Sequence, residues 1–175
     1  MNLAFRILFL FSITVLCCNI GIAGGLKSIY ISDFEVLDDT RQYNTPEVNA
    51  AQDKRAQMIG DNLRQLLEEK HLYRVVGAQA ASKLIGDMRA RQSLYLCDPC
   101  AQEIGQALHT NRVALCWVQK VSNLILNINI KVFDSDTDKV VYQESVDIRG
   151  NTDVSWSRGI KALVSSIEEK KLYLK

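Results

Sequence analysis

The chain carries no surplus of either charge. One of its 21 lysines and arginines, Arg6, lies in the first 23 residues, so the rest of the chain sets 20 basic side chains against 20 acidic ones. A nucleic-acid-binding domain shows a basic excess or stripe, and neither is present. Attraction to an anionic membrane surface lacks a source for the same reason. Histidine is scarce as well: His71 and His109 are the two in the chain, each without companions beside a helical stretch. Both read as helix-end residues rather than metal ligands. There is no nucleophile elbow, no histidine placed for a triad and no defined carboxylate pair, so hydrolysis has no support. No cofactor or metal is expected, and the protein reads as non-catalytic.

Long apolar runs are confined to the start. Ile7 to Ile22 follows Arg6 and leads to Gly21-Ile22-Ala23, whose small residues occupy the two positions a signal peptidase reads. Residues 1–23 are therefore expected to be a signal peptide cleaved after Ala23. As a permanent anchor the run is broken by Ser12, Thr14 and Asn19 and falls short of the roughly 20 apolar residues that span a bilayer. Lipid attachment at Cys17 or Cys18 would want a small residue before it, where Leu16 and Cys17 stand. Residues 24–175 then form a single α/β domain, periplasmic or secreted, with no membrane span.

Lys27 to Leu37 reads as a first strand buried on both faces, ending in Asp33, Glu35, Asp38 and Asp39. Those acids suit either a ligand site at a strand's carboxyl end or a solvated turn, and turns use aspartate freely. After an irregular stretch through Pro46 and Asn49, Ala50 to Lys70 is predicted helical, with Ile59, Leu63, Leu66 and Leu67 on one face. His71 to Gly77 is a short strand closing a strand-helix-strand unit, hence parallel to the first. A second helix over 78–89 carries Leu84, Ile85 and Met88. Cys97-Asp-Pro-Cys100 opens a third, running to Leu108. In an exported chain this pair suits a structural disulfide. A redox-active thiol pair at a helix N-terminus and a zinc half-site, short of its four ligands, are the other readings. Heme attachment fails because Ala101 replaces the required histidine. Cys116 reads as a small buried hydrophobe.

Arg112 to Gly150 is the organising stretch. Leu124, Leu126, Ile128, Ile130 and Val132 share one parity and Asn123, Asn127, Asn129 and Lys131 the other, so a strand here has one greasy and one polar face. A two-residue turn at Ser122-Asn123 would pair Val121 with Leu124, Trp117 with Ile128, Leu115 with Ile130 and Val113 with Val132. Beyond Asp134–Lys139, matching parity sets Asn127 by Asp147, Asn129 by Ser145 and Lys131 by Gln143, leaving Glu144 on the wrong side. Asp134-Ser-Asp-Thr-Asp138 spaces carboxylates as a calcium loop does, but Lys139 takes the glycine position and Ser145 that of the final glutamate. Asn151 or Thr152 then caps a last helix with Trp156, Ile160, Leu163, Val164 and Ile167 on one face. The fold class is thus α/β (α+β), a mixed sheet of about five strands: a parallel strand-helix-strand start, an antiparallel meander and a closing helix.

The motifs VQKVSNLILN (Val118 to Asn127), SVDIRGNTD (Ser145 to Asp153) and the Cys97/Cys100 pair resemble those of a bacterial family of small exported proteins known as a domain of unknown function. More distantly, the order of elements is similar to the TolB amino-terminal domain and to envelope adaptors of the CsgG and LpoB kind. The resemblance implies an export signal and a place in the cell envelope. At fold level it favours a binding module over an enzyme. The expected role is an adaptor contacting another envelope protein through the polar face of the meander: Asn127, Asn129, Lys131, Ser145, Asp147 and Arg149. The alternative is a thiol-disulfide or maturation factor acting through Cys97 and Cys100.

Overall fold

The computed structural model describes residues 25–171, Lys171 by its backbone alone; the expected signal peptide and the tail residues Leu172, Tyr173 and Leu174 lie outside the described residues. The elements are β1 (Ser28–Ile31), β2 (Glu35–Leu37), α1 (Pro46–Glu69), β3 (Arg74–Val76), α2 (Ser82–Arg91), α3 (Asp98–Leu108), β4 (Arg112–Lys120), β5 (Ile125–Asp134), β6 (Val140–Arg149) and α4 (Asp153–Lys171). They build one mixed sheet in the order β3-β1-β4-β5-β6, with β2 also beside β4. β3, β1 and β4 run parallel, and β4, β5 and β6 form the antiparallel meander.

The expected first strand is two. Between Ile31, opposite Ala114, and Glu35, opposite Trp117, the chain spends one residue more than β4 does. The ladder survives because Ser32 fills the gap: its N–H donates to the Ala114 carbonyl at 2.9 Å, and its Oγ accepts the Cys116 N–H at 3.0 Å. The extra residue also reverses parity, as a bulge does. Phe34 and Val36 thereby join Ile29 and Ile31 on one side, while Tyr30 points to the other. This division turns the expected five strands into six.

α1 starts at Pro46, earlier than expected. Proline is tolerated there because a first-turn N–H has no intrahelical partner to lose. Ile59, Leu63 and Leu67 of α1, with Trp156, Ile160, Leu163 and Val164 of α4, lie buried against Leu126, Ile128, Ile130 and Val132 of β5. On the opposite side α2 and α3 cover Tyr30, Val113, Leu115 and Phe133. The parity predicted for β5 therefore holds, and so do its pairings with β6: Asn127 faces Asp147, Asn129 faces Ser145 and Lys131 faces Gln143.

The β4–β5 register does not hold. Trp117 faces Asn129, Val118 faces Ile128, Cys116 faces Ile130 and Val113 faces Phe133, one residue away from the expected pairing. The hairpin is longer than two residues, with the Val121 and Ser122 N–H groups both donating to the Ile125 carbonyl. Periodicity could not fix this register because both parities of β4 are buried, Ala114 and Cys116 under α1 and α4, Val113 and Leu115 under α2 and α3. Val121 and Leu124, expected in the core, are instead 63% and 71% exposed at the hairpin tip.

Asp38, just past β2, lies buried with Lys120 at the end of β4, Nζ donating to Oδ2 at 2.8 Å. Thr40 and Asn44 donate to the same carboxylate. Burial pulls this carboxyl upward, but Lys120 and the other donors outweigh it and hold it well below the usual range. Glu144, on the core side of the outer strand, is likewise satisfied, receiving Ser166 Oγ at 2.8 Å and Lys170 Nζ at 2.6 Å from α4.

Two predictions follow the packing. A Cβ on Gly159 would lie 2.5 Å from Ile148 Cγ2 and 2.6 Å from Ile128 Cδ1, whereas one on Gly86 meets nothing within 4 Å. Gly159→Ala should therefore cost about 1–3 kcal/mol by overpacking, and Gly86→Ala, in mid-helix, should gain about 0.5–1 kcal/mol, both read by urea denaturation. Lys120→Met strands a buried carboxylate and should cost about 3–5 kcal/mol at pH 7. Because the folded Asp38 pKa is depressed, the pair's contribution is complete above the unfolded value of about 3.9 and fades as pH falls toward the folded one. The deficit of Lys120→Met should therefore shrink as pH falls below about 4, and the melting temperatures of the variant and the native chain against pH measure it.

Candidate functional site

The two sides of the sheet are unequally covered. α1 and α4 close one side, while α2 and α3 cover β1, the first half of β4 and the Phe133 end of β5. What they leave open is the part of the meander built from the second half of β4, most of β5 and β6. In a pleated strand alternate residues share a side, so this open face carries Trp117 and Gln119, Ile125 to Lys131 at odd positions, and Gln143, Ser145, Asp147 and Arg149. The structure thus brings all six predicted contact residues, Asn127, Asn129, Lys131, Ser145, Asp147 and Arg149, onto one face.

They are not equivalent there. Gln143, Ser145, Asp147 and Arg149 are exposed. Asn129 lies between Trp117 on β4 and Ser145 on β6, is 9% exposed and donates through Nδ2 to the Asn127 carbonyl at 3.1 Å. Asn127 donates to the Asp147 carboxylate across the strands. Lys131 is committed sideways: its Nζ donates to Asp98 Oδ1 at 2.7 Å and sits 5.0 Å from the Phe133 ring centre. Asp98 lies inside the Cys97–Cys100 ring, so this ion pair ties the start of α3 to the sheet. Asn129 and Lys131 therefore shape the face, and the outer strand supplies its reachable groups.

Sequence reasoning missed an aromatic and aliphatic border to this face. Tyr95 stacks on Trp117 with ring centres 5.3 Å apart. Leu96 beside it is 66% exposed, and Val121, Leu124 and Ile125 are exposed around the hairpin tip. Tyr95 and Val121 also line a groove of about 690 Å3 that runs past Gln119 to Asp39 and Thr40. The available signal was a cluster of large apolar residues flanking the polar Ser122-Asn123 turn, where a plain hairpin would be polar.

Cys97 and Cys100 form a disulfide with Cα atoms 5.3 Å apart, and both residues are buried at 8% and 5% exposure. Cys116 is a buried free thiol that burial pushes up to about 12, as a core residue behaves. Of the acids after β1, Asp33, Glu35 and Asp38 are individually engaged. Burial pulls the Asp33 carboxyl upward, yet Arg89 and Arg64, at 2.9 Å and 2.7 Å, hold it below its usual range. Glu35 accepts the Leu94 N–H at 2.7 Å. Among the described residues no three His, Cys, Asp or Glu side chains converge to hold a metal ion, and no helix is long and apolar enough to cross a membrane.

Among solved structures, the chain is similar to the hypothetical protein CT253 from Chlamydia trachomatis, with a TM-score of 0.51 at 12% identity over 82% of this chain and 96% of that one. It is also similar to E. coli LpoB, TM-score 0.47 at 12% identity, spanning 72% of this chain and 59% of the LpoB chain. A dodecameric PelC from Paraburkholderia phytofirmans gives 0.47 at 11% identity, over 82% and 87%. The CT253 likeness is one of fold. No curated protein matches the sequence. A family profile described as protein of unknown function (DUF2380) matches residues 27–167, the whole sheet and nearly all of α4, and the chain belongs to that family, DUF3280.

Proposed function

We propose that this protein is an exported, non-catalytic binding module of the cell envelope, which presents the open part of its meander to another envelope protein. The observation that carries the reading is the unequal covering of one sheet. Two helices cover one side along most of its length, and the other leaves a register-fixed plate with polar groups in its middle and Tyr95, Leu96, Trp117 and Ile125 along its border. Protein interfaces combine those features, an apolar and aromatic anchor with polar neighbours. Export rests on residues 1–23 acting as a signal peptide cleaved after Ala23, leaving residues 24–175 as one domain. The Cys97–Cys100 disulfide supports it, because such bonds persist in oxidising compartments.

The burial of both sulfurs weighs against a thiol-disulfide factor, since a catalytic cysteine must be reached by its substrate. The bond should behave as a structural one with a reduction potential below about −300 mV, measured by equilibration with dithiothreitol. A potential near −200 mV would instead support the redox role.

A photoreactive residue placed at Ser145 or Leu96 should crosslink an envelope protein in intact cells, and one at Lys83 on α2 should not. Pairing Ser145→Arg with Leu96→Asp should lower recovery of that protein about tenfold, or 1.4 kcal/mol, with an unchanged melting curve. Equal crosslinking from the open face and from the outer surface of α2 would remove the reading.

A further inference from the structure

β6 is an outer strand of the sheet, bonded to β5 on one side and, among the described residues, to no strand on the other. Its bonding pattern can be counted. The Gly150 N–H donates to the Leu124 carbonyl at 3.0 Å, and opposed residues in an antiparallel ladder alternate between exchanging both bonds and none. Stepping by two from that pair makes Ile148, Val146, Glu144 and Tyr142 the residues bonded to β5. The backbone N–H and C=O groups of Gln143, Ser145, Asp147 and Arg149 therefore point out of the sheet, four alternate residues along one edge, up to the register shift at Val141.

Proteins that keep such an edge solitary shorten it, place lysine or proline in it, or twist it with a bulge. β6 spans ten residues without lysine or proline, and its irregularity is confined to the end opposite Val132 and Phe133. Its one core-side charge, Glu144, does not repel a neighbour, because Lys170, Ser166 and Tyr142 already engage it.

We infer that β6 pairs with the β6 of a second copy of this chain, antiparallel about a two-fold axis that passes through Ser145 normal to the sheet. In that register Asp147 meets Gln143, Arg149 meets Val141, Glu144 meets Val146 and Tyr142 meets Ile148, so no charged side chain faces its own copy. Moving the axis to Glu144 or Asp147 sets two like carboxylates directly opposite, which destabilises a strand pair. About six new backbone bonds form along the joint, two from each of the Ser145/Ser145 and the two Gln143/Asp147 pairs.

The helices on the covered side fit the same joint. α4 lies over the boundary of β5 and β6, since a Cβ on Gly159 would touch Ile128 on one and Ile148 on the other. With strands about 4.8 Å apart, the two α4 axes come to lie about 10 Å apart, within the range of packed helices. The flank of α4 that leans toward the edge carries Ser155, Gly159, Ala162 and Ser166, small enough for that approach, and ends in Lys170, which lies down onto Glu144 and Tyr142 of its own β6. A two-fold axis normal to the sheet leaves both open faces on the same side, so the pair offers a partner two adjoining sites. The pairing itself rests on the edge alone and stands whether or not that face binds anything.

The test uses the full chain with single replacements. Sedimentation equilibrium of the native chain should give twice the monomer mass. Ser145→Cys should form an interchain disulfide under mild oxidation, because opposed Cα atoms in a bonded pair lie about 5.5 Å apart, within disulfide reach. Gln143→Cys should not, its two copies being offset along the strands. Ser145→Pro, whose lost N–H faces outward, should give a folded monomer that melts cooperatively at a temperature independent of protein concentration, while Val146→Pro, whose N–H bonds β5, should fail to fold. A native chain that stays monomeric at millimolar concentration, a dimer that survives Ser145→Pro, or equal crosslinking through residue 143 would overturn the inference. Loss of the dimer with the envelope-protein crosslink intact would leave the proposed function standing.

Discussion

Everything in this fold is hung on β4. It is bonded along one edge by β1 and β2 and along the other by β5, and its side chains are buried toward both faces of the sheet. A strand so placed has no polar side to spare, so its backbone bonds must be met entirely by neighbours. The Ser32 hydroxyl shows how strict this is: where β1 ends and β2 has not yet begun, a side chain supplies the acceptor the Cys116 N–H would otherwise lack. A buried donor left unmet costs on the order of 1–3 kcal/mol, a sizeable share of the stability of a domain this size.

From β4 outward the structure loses symmetry. Toward the amino-terminal half, strands are short, parallel and covered on both sides by helices, as parallel sheets require. Toward the carboxy-terminal half they are long and antiparallel and need cover on one side. α4 provides that cover, lying so close that Gly159 has no room for a side chain. The open meander face follows from this division of labour between helices. The Lys131–Asp98 pair and the aromatic stack at Trp117 brace it against the α3 end of the molecule.

How far the sequence disclosed this depended on whether an element has one buried side or two. β5 and β6 each bury one side, so parity alone set their register and put Asn127, Asn129, Lys131, Ser145, Asp147 and Arg149 on a single face. α4 was equally plain, from Trp156 to Ile167. β4 buries both sides, so a one-residue shift changed nothing in its hydrophobic pattern, and the hairpin length that decides the matter was hidden in the loose run Val121 to Ile125. The break of the first strand was hidden too, because Ser32 and Asp33 look like ordinary strand-end residues until the partner carbonyl and amide are in place. Exposure along the plate lay beyond any pattern: Asn129 is shut in by the neighbouring Trp117 and Ser145, a fact of three strands at once.

The separation between the partners of β4 has a consequence for the order of events during synthesis. Ile29, Tyr30 and Ile31 of β1 leave the ribosome first, yet the strand that shelters them begins at Arg112, whose partner in β1 is Ile29. At about 5–20 residues per second, that wait lasts roughly 4–16 s. Throughout it β1 has β3 along one edge and α1 on one side but nothing along its other edge, while the three meander strands can zip locally as soon as they appear. Until its last third has been made, the chain has no finished core, because neither side of the sheet can close before β4 is in place.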